Sequence, residues 1–404
     1  MRVLIADKLA TSAVDALRAA GHEVAVEPSL GGEALAEALG RLDPDVLVVR
    51  STKVGAAQLE AGRALSLVVR AGAGVNTIDL DAAGRRGVFV ANCPGKNAVA
   101  VAELTFALLL ALDRHVADGV VRARAGQWDK AAQSRSRGLR GRRLGLLGLG
   151  GIGREVARRA LAFDLEVVAW SRSLTPEAAE ELGITWAGSP LEVARQVDIL
   201  SVHTALTPDT RGLVGRSLID ALPDGAVVIN TARAEVMDEE ALLDALERRG
   251  FQAGLDVLAG EPSGSTGTLD HPLARHPHVV LSHHVGASTE EAQEAVAAEV
   301  VRIVTAYDAT GRAPNVVNVL DDPDATHVLV VRHLDRVGVL AGVLDALREA
   351  DLNVQGMENT IFAGGEAAVA RVQVGSDPAV VVDHVAALPH VLHVASLPIG
   401  GSRG

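Results

Sequence analysis

LGLLGLGGIGREVARRAL, residues 144–161, decides how this chain folds. An apolar run, Leu144–Leu147, ends on Gly148-Leu149-Gly150-Gly151-Ile152-Gly153, and a helical pattern follows at once. A G-x-G-x-x-G turn between a strand and a helix marks a dinucleotide-binding βαβ unit. Gly148 permits the tight turn, and Gly150 lets backbone approach a pyrophosphate. Gly153 lets helix pack closely on strand. Gly151 and Ile152 open the helix, whose N-terminus brings partial positive charge to the anion. With 41 glycines in the chain the string alone is weak, so its setting carries the reading.

That setting extends in both directions. Downstream, EVVAW (166–170), DILSVH (198–203), AVVINT (226–231), FQAGLDV (251–257) and VVLSHH (279–284) read as further strands. Upstream, VLIA (3–6), EVAVE (23–27), DVLVV (45–49) and LSLVVR (65–70) alternate with helical patterns. Strands alternating with helices imply parallel sheets covered on both faces. Between the two series, NAVAVAELTFALLLALDRHVADGV (97–120) reads as one long helix, apolar around most of its circumference. TEEAQEAVAAEVVRIVTAYDATG (289–311) reads as another, stopped by Gly311 and Pro314. DDPDAT (321–326) reads as a linker, and the remainder as a βαββαβ unit with a hairpin turn at Ala363-Gly364-Gly365. The expected class is α/β: two doubly wound parallel-sheet (Rossmann-like) domains plus a C-terminal βαββαβ α+β domain. The expected boundaries are 1–97 with 285–318 for substrate, 98–284 for the dinucleotide, and 325–404 for the C-terminal module.

Composition narrows the class of function. The 404 residues are 48% hydrophobic and 22% charged, ordinary for a folded protein of more than one domain. Aromatics are 2%, so Val, Leu, Ile and Ala must fill the core. A formal charge of −13 disfavours nucleic acid and anionic membrane as partners, and only Arg135–Arg143 forms a short basic stretch. The single cysteine, Cys93, excludes an internal disulfide framework and fits a reducing compartment. Arg2 and Asp7 interrupt any secretory signal, and the apolar stretch Ala98–Leu112 carries Glu103 and is too short to span a bilayer. A cytoplasmic location is expected.

Ligand sites in open α/β sheets gather at the carboxyl ends of strands. Three chemically capable residues stand at such ends: Arg233, Glu261 and His284. Hydride exchange at a secondary alcohol needs a proton acceptor on oxygen, which suits His284. It also needs a cation for a neighbouring carboxylate, which suits Arg233. Glu261 can hold the far imidazole nitrogen. His271, His276, His278, His283 and His284 lack H-x-x-x-H spacing on a helix, so no metal site is expected. After EVVAW come Ser171 and Arg172 in place of the carboxylate that would bind a ribose 2′-hydroxyl, so NAD or NADP is expected, NADP slightly favoured.

At these residues the chain resembles the D-isomer-specific 2-hydroxy acid dehydrogenase family. The matching strings are RAGAGVNTIDL (70–80), ANCPGKNAVAVAELTFALLLAL (91–112), GLLGLGGIGREVA (145–157), SVHTALTPDTRGLVG (201–215), INTARAEVMDEEAL (229–242), GLDVLAGEP (254–262) and HHVGASTEEAQ (283–293). The resemblance implies that Arg233 is the catalytic arginine, Glu261 the orienting acid and His284 the acid/base. The family has proline where this chain has His283, and the register set by GAST favours His284. It implies cofactor contacts from Gly148, Gly150, Gly151, Ile152, Gly153, Ser171, Arg172, His203, Thr231, Ala232 and Asp256. Substrate contacts are implied from Arg50, Ser51, Lys53, Ala73, Gly74 and Asn97. Within the family the chain resembles the branch that oxidises 3-phosphoglycerate at C2 toward serine, with an ACT-like module at its C-terminus. Its Gly126-Gln127-Trp128 segment resembles a dimerisation arm, implying a homodimer or homotetramer. His333 and Asp335 would lie in the module's ligand loop and Asn353 where the partner subunit's module meets it, with L-serine the implied effector, although Val337 replaces a family proline. SGSTGTLD (263–270) departs from the family as a longer, mobile loop. A glyoxylate or hydroxypyruvate reductase is the alternative, and a catalytically silent nucleotide-sensing corepressor or scaffold the alternative of another class.

Overall fold

The computed structural model describes residues 1–262, 266–320 and 324–399, and of residue 132 the backbone. Positions 263–265 of the expected mobile loop, 321–323 of the expected linker and 400–404 of the expected module lie outside the described residues. The chain forms two compact units, residues 1–318 and 319–404.

The first unit holds two parallel sheets. In one, β1 (Arg2–Ile5), β2 (Glu23–Val26), β3 (Val46–Val49), β4 (Leu67–Arg70) and β5 (Phe89–Asn92) are ordered β2-β1-β3-β4-β5. β3 is VLVV, buried along its length, because helices cover both faces. In the other, the strands are β6 (Arg143–Leu147), β7 (Glu166–Trp170), β8 (Thr185–Trp186), β9 (Ile199–Val202), β10 (Val227–Asn230), β11 (Gln252–Leu255) and β12 (Val279–Leu281). Their order is β12-β11-β10-β9-β6-β7-β8. The order reverses between β6 and β9, the switch point where such sheets open a crevice. Leu144 and Leu146 join one core layer with helix Gly151–Ala162, while Leu147, Leu200 and Val228 join the opposite layer.

Two helices connect the sheets. Helix Ala98–Asp113 leaves β5 and buries Phe106, Leu108, Leu109 and Leu112 against the seven-stranded sheet. Helix Glu290–Thr310 returns, laying Val296, Val300, Ile303 and Val304 on the five-stranded one. Gly311, with φ 68°, ends it as expected. The other expectation needs correcting: the helix expected over 97–120 breaks at His115, which is left-handed at φ 52°, and a separate helix runs Val116–Arg124. The cause is Asp113. Its carboxylate accepts from Gly138 N (3.1 Å) and faces Arg142 Nη1 (3.4 Å), so the first helix is anchored there. Val116–Arg124 buries none of its residues.

The second unit is an antiparallel sheet of β13 (His327–Leu334), β14 (Val354–Ile361), β15 (Ala367–Val374) and β16 (Val391–Pro398), ordered β14-β15-β13-β16. Helices Val339–Glu349 and Ala379–Ala386 pack Val343, Leu347, Val381 and Val385 on one face against Leu329, Val331 and Val372. This is the βαββαβ unit read from the sequence.

Candidate active site

The glycine turn builds one side of the site. Gly148 lies past β6 with φ 95° and donates its N–H to Trp170 O (2.8 Å). A Cβ there would stand 2.7 Å from His203 O, so the turn closes directly on the backbone after β9. A Cβ at Gly153 would collide with Gly148 O. Gly150 differs: no protein atom lies within 4 Å of where its Cβ would be. It caps helix Gly151–Ala162 without a side-chain bond to the first amides, those of Gly151, Ile152 and Gly153. An uncapped helix start above open space suits an anion. On the neighbouring strand end, His203 Nδ1 and Thr204 Oγ1 are buried without a partner among the described residues. His203 Nε2 pairs with Ser201 Oγ (2.8 Å), and burial pushes the imidazole down to about 3, so it stays neutral. Ser171 is half-buried and Arg172 exposed, just past β7. This combination fits a dinucleotide with its pyrophosphate over Gly150.

The candidate reacting groups stand beside it. Asn230, fully buried at the end of β10, braces the next turn: its Oδ1 accepts from Ala232 N (3.0 Å) and its Nδ2 donates to Arg233 O (2.9 Å). Arg233 Nη1 donates to Ala232 O (2.6 Å). Burial lowers the pKa of Arg233, against the opposing fields of Glu235, Glu261 and Asp256. Past β12, His284 Nδ1 lies 3.0 Å from both carboxylate oxygens of Glu261. His283 and His284 are both exposed, and His284 is the one that meets Glu261. His284 is left-handed at φ 52°, a costly conformation for a histidine, and Asp256 enforces it. Asp256 O accepts from His284 N (2.9 Å), Oδ1 from Ser282 Oγ (2.7 Å) and Val285 N (2.9 Å), and Oδ2 from Gly286 N (2.9 Å).

The five-stranded sheet supplies the opposing wall through the loops after β3, β4 and β5. A Cβ on Gly74 would collide with the Arg233 guanidinium, so the 72–76 backbone lies directly against it. Ala73 O is held by Asn92 Nδ2 (2.6 Å). Arg70, at the end of β4, was missed by sequence reasoning. It is largely buried, its Nε has no partner among the described residues, and its pKa is lowered to about 10 by burial and by the charges of Arg233 and Arg50. The available signal was positional: Arg70 ends β4 as Arg233 follows β10, facing the same cleft. Asp7, past β1, was missed too. Its Oδ2 accepts from the amides of Arg50 (2.7 Å), Ser51 (3.0 Å) and Thr52 (3.0 Å), and its Oδ1 from Ser51 Oγ (3.0 Å). Burial raises the Asp7 pKa, but those amides more than offset it, and the net shift is downward. Lys53 is exposed beside this loop. Asn97 precedes helix Ala98–Asp113 with Oδ1 buried and unpartnered among the described residues.

The structure thus brings Arg233, Glu261, His284 and Gly74 to one cleft, with Arg70 and Arg50 within electrostatic reach of each other. Three expected cofactor contacts are already engaged by protein: the Asp256 carboxylate, the Ala232 amide, and the Thr231 hydroxyl, which bonds Thr105 Oγ1 (3.1 Å). In the second unit the expected effector residues lie apart within one chain, as a site shared between two subunits requires. His333 is buried, with Nδ1 on Leu334 O (2.8 Å) and Nε2 on Asn359 Oδ1 (3.2 Å). Pairing runs Val354↔Val374↔His327 at one end of the sheet and Leu334↔Ala367 at the other. Asn353 therefore stands at the opposite end from Asp335 within one chain.

Comparison with known proteins gives the family of the fold. Residues 106–286 match the family model of the D-isomer specific 2-hydroxyacid dehydrogenase NAD binding domain. The D-3-phosphoglycerate dehydrogenase of Methanocaldococcus jannaschii is 36% identical over 327 residues, 80% of this chain and 60% of that protein. The chain thus spans less than two thirds of that relative's length. The hydroxypyruvate reductase of Thermotoga maritima is 41% identical over 259 residues, 64% of this chain and 82% of that protein. The crystal structure of the TT0316 protein from Thermus thermophilus superposes with a TM-score of 0.70 at 35% identity, covering 78% of this chain and all of that one. On the fold, the cleft and this likeness together, the chain belongs to the D-isomer specific 2-hydroxyacid dehydrogenase family.

Proposed function

We propose that the protein is an NAD-linked dehydrogenase that oxidises 3-phosphoglycerate at C2. One observation carries the choice of a doubly anionic substrate: the guanidiniums of Arg233 and Arg50 both bear on the largely buried guanidinium of Arg70. Such clustering is unfavourable until anions neutralise it. A carboxylate on Arg233 and a phosphate toward Arg50, Arg70 and Lys53 would do so, and Arg grips both groups in bidentate fashion. The relative named D-3-phosphoglycerate dehydrogenase supports this reading.

Bound nicotinamide dinucleotide supplies the hydride acceptor. His284 Nδ1 carries its hydrogen toward Glu261, which leaves Nε2 to take the hydroxyl proton. Asp256 holds the loop that aims the ring. Arg233 and the backbone at Ala73–Gly74 fix the carboxylate so that C2 faces the cofactor. Use of NADP rests on Arg172, exposed where a 2′-phosphate would lie. An effector such as serine, held between Asp335 and Asn353, would need two copies of the C-terminal module.

Hydroxypyruvate reduction is the second reading, favoured by the greater identity and coverage of that relative. Steady-state rates with 3-phosphoglycerate, and in reverse with hydroxypyruvate and glyoxylate, each with NAD(H) and NADP(H), separate the readings. The expected result is the highest kcat/KM for 3-phosphoglycerate. Equal rates with unphosphorylated acids would refute the phosphate reading, and no turnover at all would favour a scaffold.

A further inference from the structure

The loop carrying Glu261 leaves the core at buried Leu258 and returns through half-buried Leu269 to buried Leu273, and Ala259 through Pro262 are exposed. The exposed stretch 259–262 has no buried side chain of its own to aim a carboxylate, yet Glu261 meets His284 Nδ1 with both oxygens at 3.0 Å. Something must fix its ends. Glu239, the first residue of helix Glu239–Arg249, lies across both. Its Oε1 accepts from Ala259 N (2.9 Å), two residues before Glu261, and its Oε2 meets His271 Nε2 (3.1 Å) where the loop returns.

The histidine's state follows from its second nitrogen. His271 Nδ1 accepts from Leu273 N (3.2 Å), capping helix Pro272–Arg275, so the ring hydrogen sits on Nε2 and is donated to Glu239. The side chains of His271 and Glu239 are 18% and 13% exposed, so water competes weakly for these bonds. Helix Glu239–Arg249 is itself fixed: Asp238 Oδ1 accepts from Ala241 N (2.9 Å), and Leu242, Ala245 and Leu246 are buried in the sheet's core. Glu239 is therefore a rigid post to which both loop ends are tied.

We infer that Glu239 is a positioning residue for the acid/base pair, acting on His284 through Glu261 by holding the two ends of the 259–271 loop. The inference rests on the proposed roles of Glu261 and His284. It is distinct from them, because Glu239 faces Ala259 and His271 and no reacting group. Displacement of a catalytic partner by about 1 Å can cost up to a hundredfold in rate, and a freed loop end permits that.

The test is a double-mutant cycle on the full chain, reading NADH-dependent reduction of 3-phosphohydroxypyruvate, with Glu239→Ala in the wild-type and Glu261→Gln backgrounds. Glu239→Ala is expected to lower kcat by about tenfold or more, with KM and the Kd for NADH within twofold, and to add less than twofold in the Glu261→Gln background. A general loss of structure would act equally in both backgrounds, and that outcome overturns the inference, as does an unchanged kcat in Glu239→Ala. Should Glu239→Ala fail to fold, His271→Ala breaks the same tie from the other side and must show the same dependence on Glu261. An unchanged kcat in Glu261→Gln alone would instead overturn the acid/base reading beneath it.

Discussion

Arg70 shows how a single residue can be costly to the fold and useful to the site. Its guanidinium is largely buried, has an unpartnered Nε, and feels two like charges. Those like charges outweigh the opposing field of Asp7, and replacing a buried, poorly compensated charge with an apolar chain of similar length stabilises a protein. Arg70→Met should therefore raise stability by about 1–3 kcal/mol while raising KM for 3-phosphoglycerate at least tenfold. A lower Tm in thermal unfolding would show that Arg70 is compensated in the free protein. Gly150 offers the complementary case. Its φ of −73° and ψ of −162° suit alanine, and a Cβ there meets nothing. Gly150→Ala should melt within about 2 °C of wild type yet bind NADH at least tenfold more weakly by fluorescence titration, since the methyl group occupies the pyrophosphate's approach. Unchanged affinity would move the cofactor off this turn. His284→Gln should lower kcat by about a hundredfold or more with NADH binding retained, and a smaller loss would point to another proton acceptor.

At the scale of elements, Glu299 ties the returning helix to the end of the first sheet. Its carboxylate, 6% exposed, accepts from Arg302 Nη2 (2.5 Å), Asn315 Nδ2 (2.7 Å) and Lys96 Nζ (3.2 Å). Asn315 also donates to Asn92 O (3.2 Å), so β5, helix Glu290–Thr310 and the segment after it meet at one group. The Arg302 bond outweighs burial, and with Asn315 and Lys96 it holds the Glu299 pKa down to about 2. Moving a carboxyl from 4.5 to about 2 corresponds to about 3 kcal/mol of stability. Because the native pKa is depressed, that contribution is full above the ordinary value and disappears as pH falls toward 2. Glu299→Gln should therefore cost about 3 kcal/mol in urea unfolding at pH 7, and the gap should close between pH 4.5 and 2. A gap constant with pH would mean that packing, not charge, sets the cost. These connections also mark what sequence could reveal. Runs such as VLVV and LGLL, and the glycine turn between Leu147 and Gly153, announced the strands and the dinucleotide crevice because their signals are local. Arg233 and His284 stood out as candidates because they end strands within long matching strings. Asp7 and Glu239 did not, because each acts through a partner distant in the chain, and Arg70 did not, because its neighbours Arg50 and Arg233 meet it only in the fold. The break at His115 escaped for the same reason: it depends on Asp113 meeting Gly138 and Arg142.

At the scale of the whole molecule, every residue assigned to the chemistry lies within residues 1–318, while the second unit has a separate sheet and core. That core joins both helices to all four strands through Leu329, Val331, Val343, Leu347, Val354, Val372, Val385 and Val394. A unit running from Val319 to Gly404 is longer than the smallest domains that fold alone, about 55–65 residues. The first unit completes itself: Val317 N donates to Val90 O (2.8 Å), and Asn318 clasps β5 through Val90 N and Val88 O, both at 2.8 Å. A chain ending after Asn318 keeps those bonds, whereas one ending before Val316 exposes the edge of β5 and loses the bridge from Ala91 to Val316. We therefore expect residues 1–318 to turn over 3-phosphohydroxypyruvate with kcat/KM within about threefold of the full chain, and residues 1–312 to lose stability and activity together. The isolated second unit should give one cooperative thermal transition of its own. Because Asp335 and Asn353 stand at opposite ends of its sheet, any response to serine should disappear when the module is diluted to a monomer. Serine binding to the monomeric module, measured by calorimetry, would contradict that placement, and inactivity of a folded 1–318 chain would show that the site borrows something from beyond Asn318.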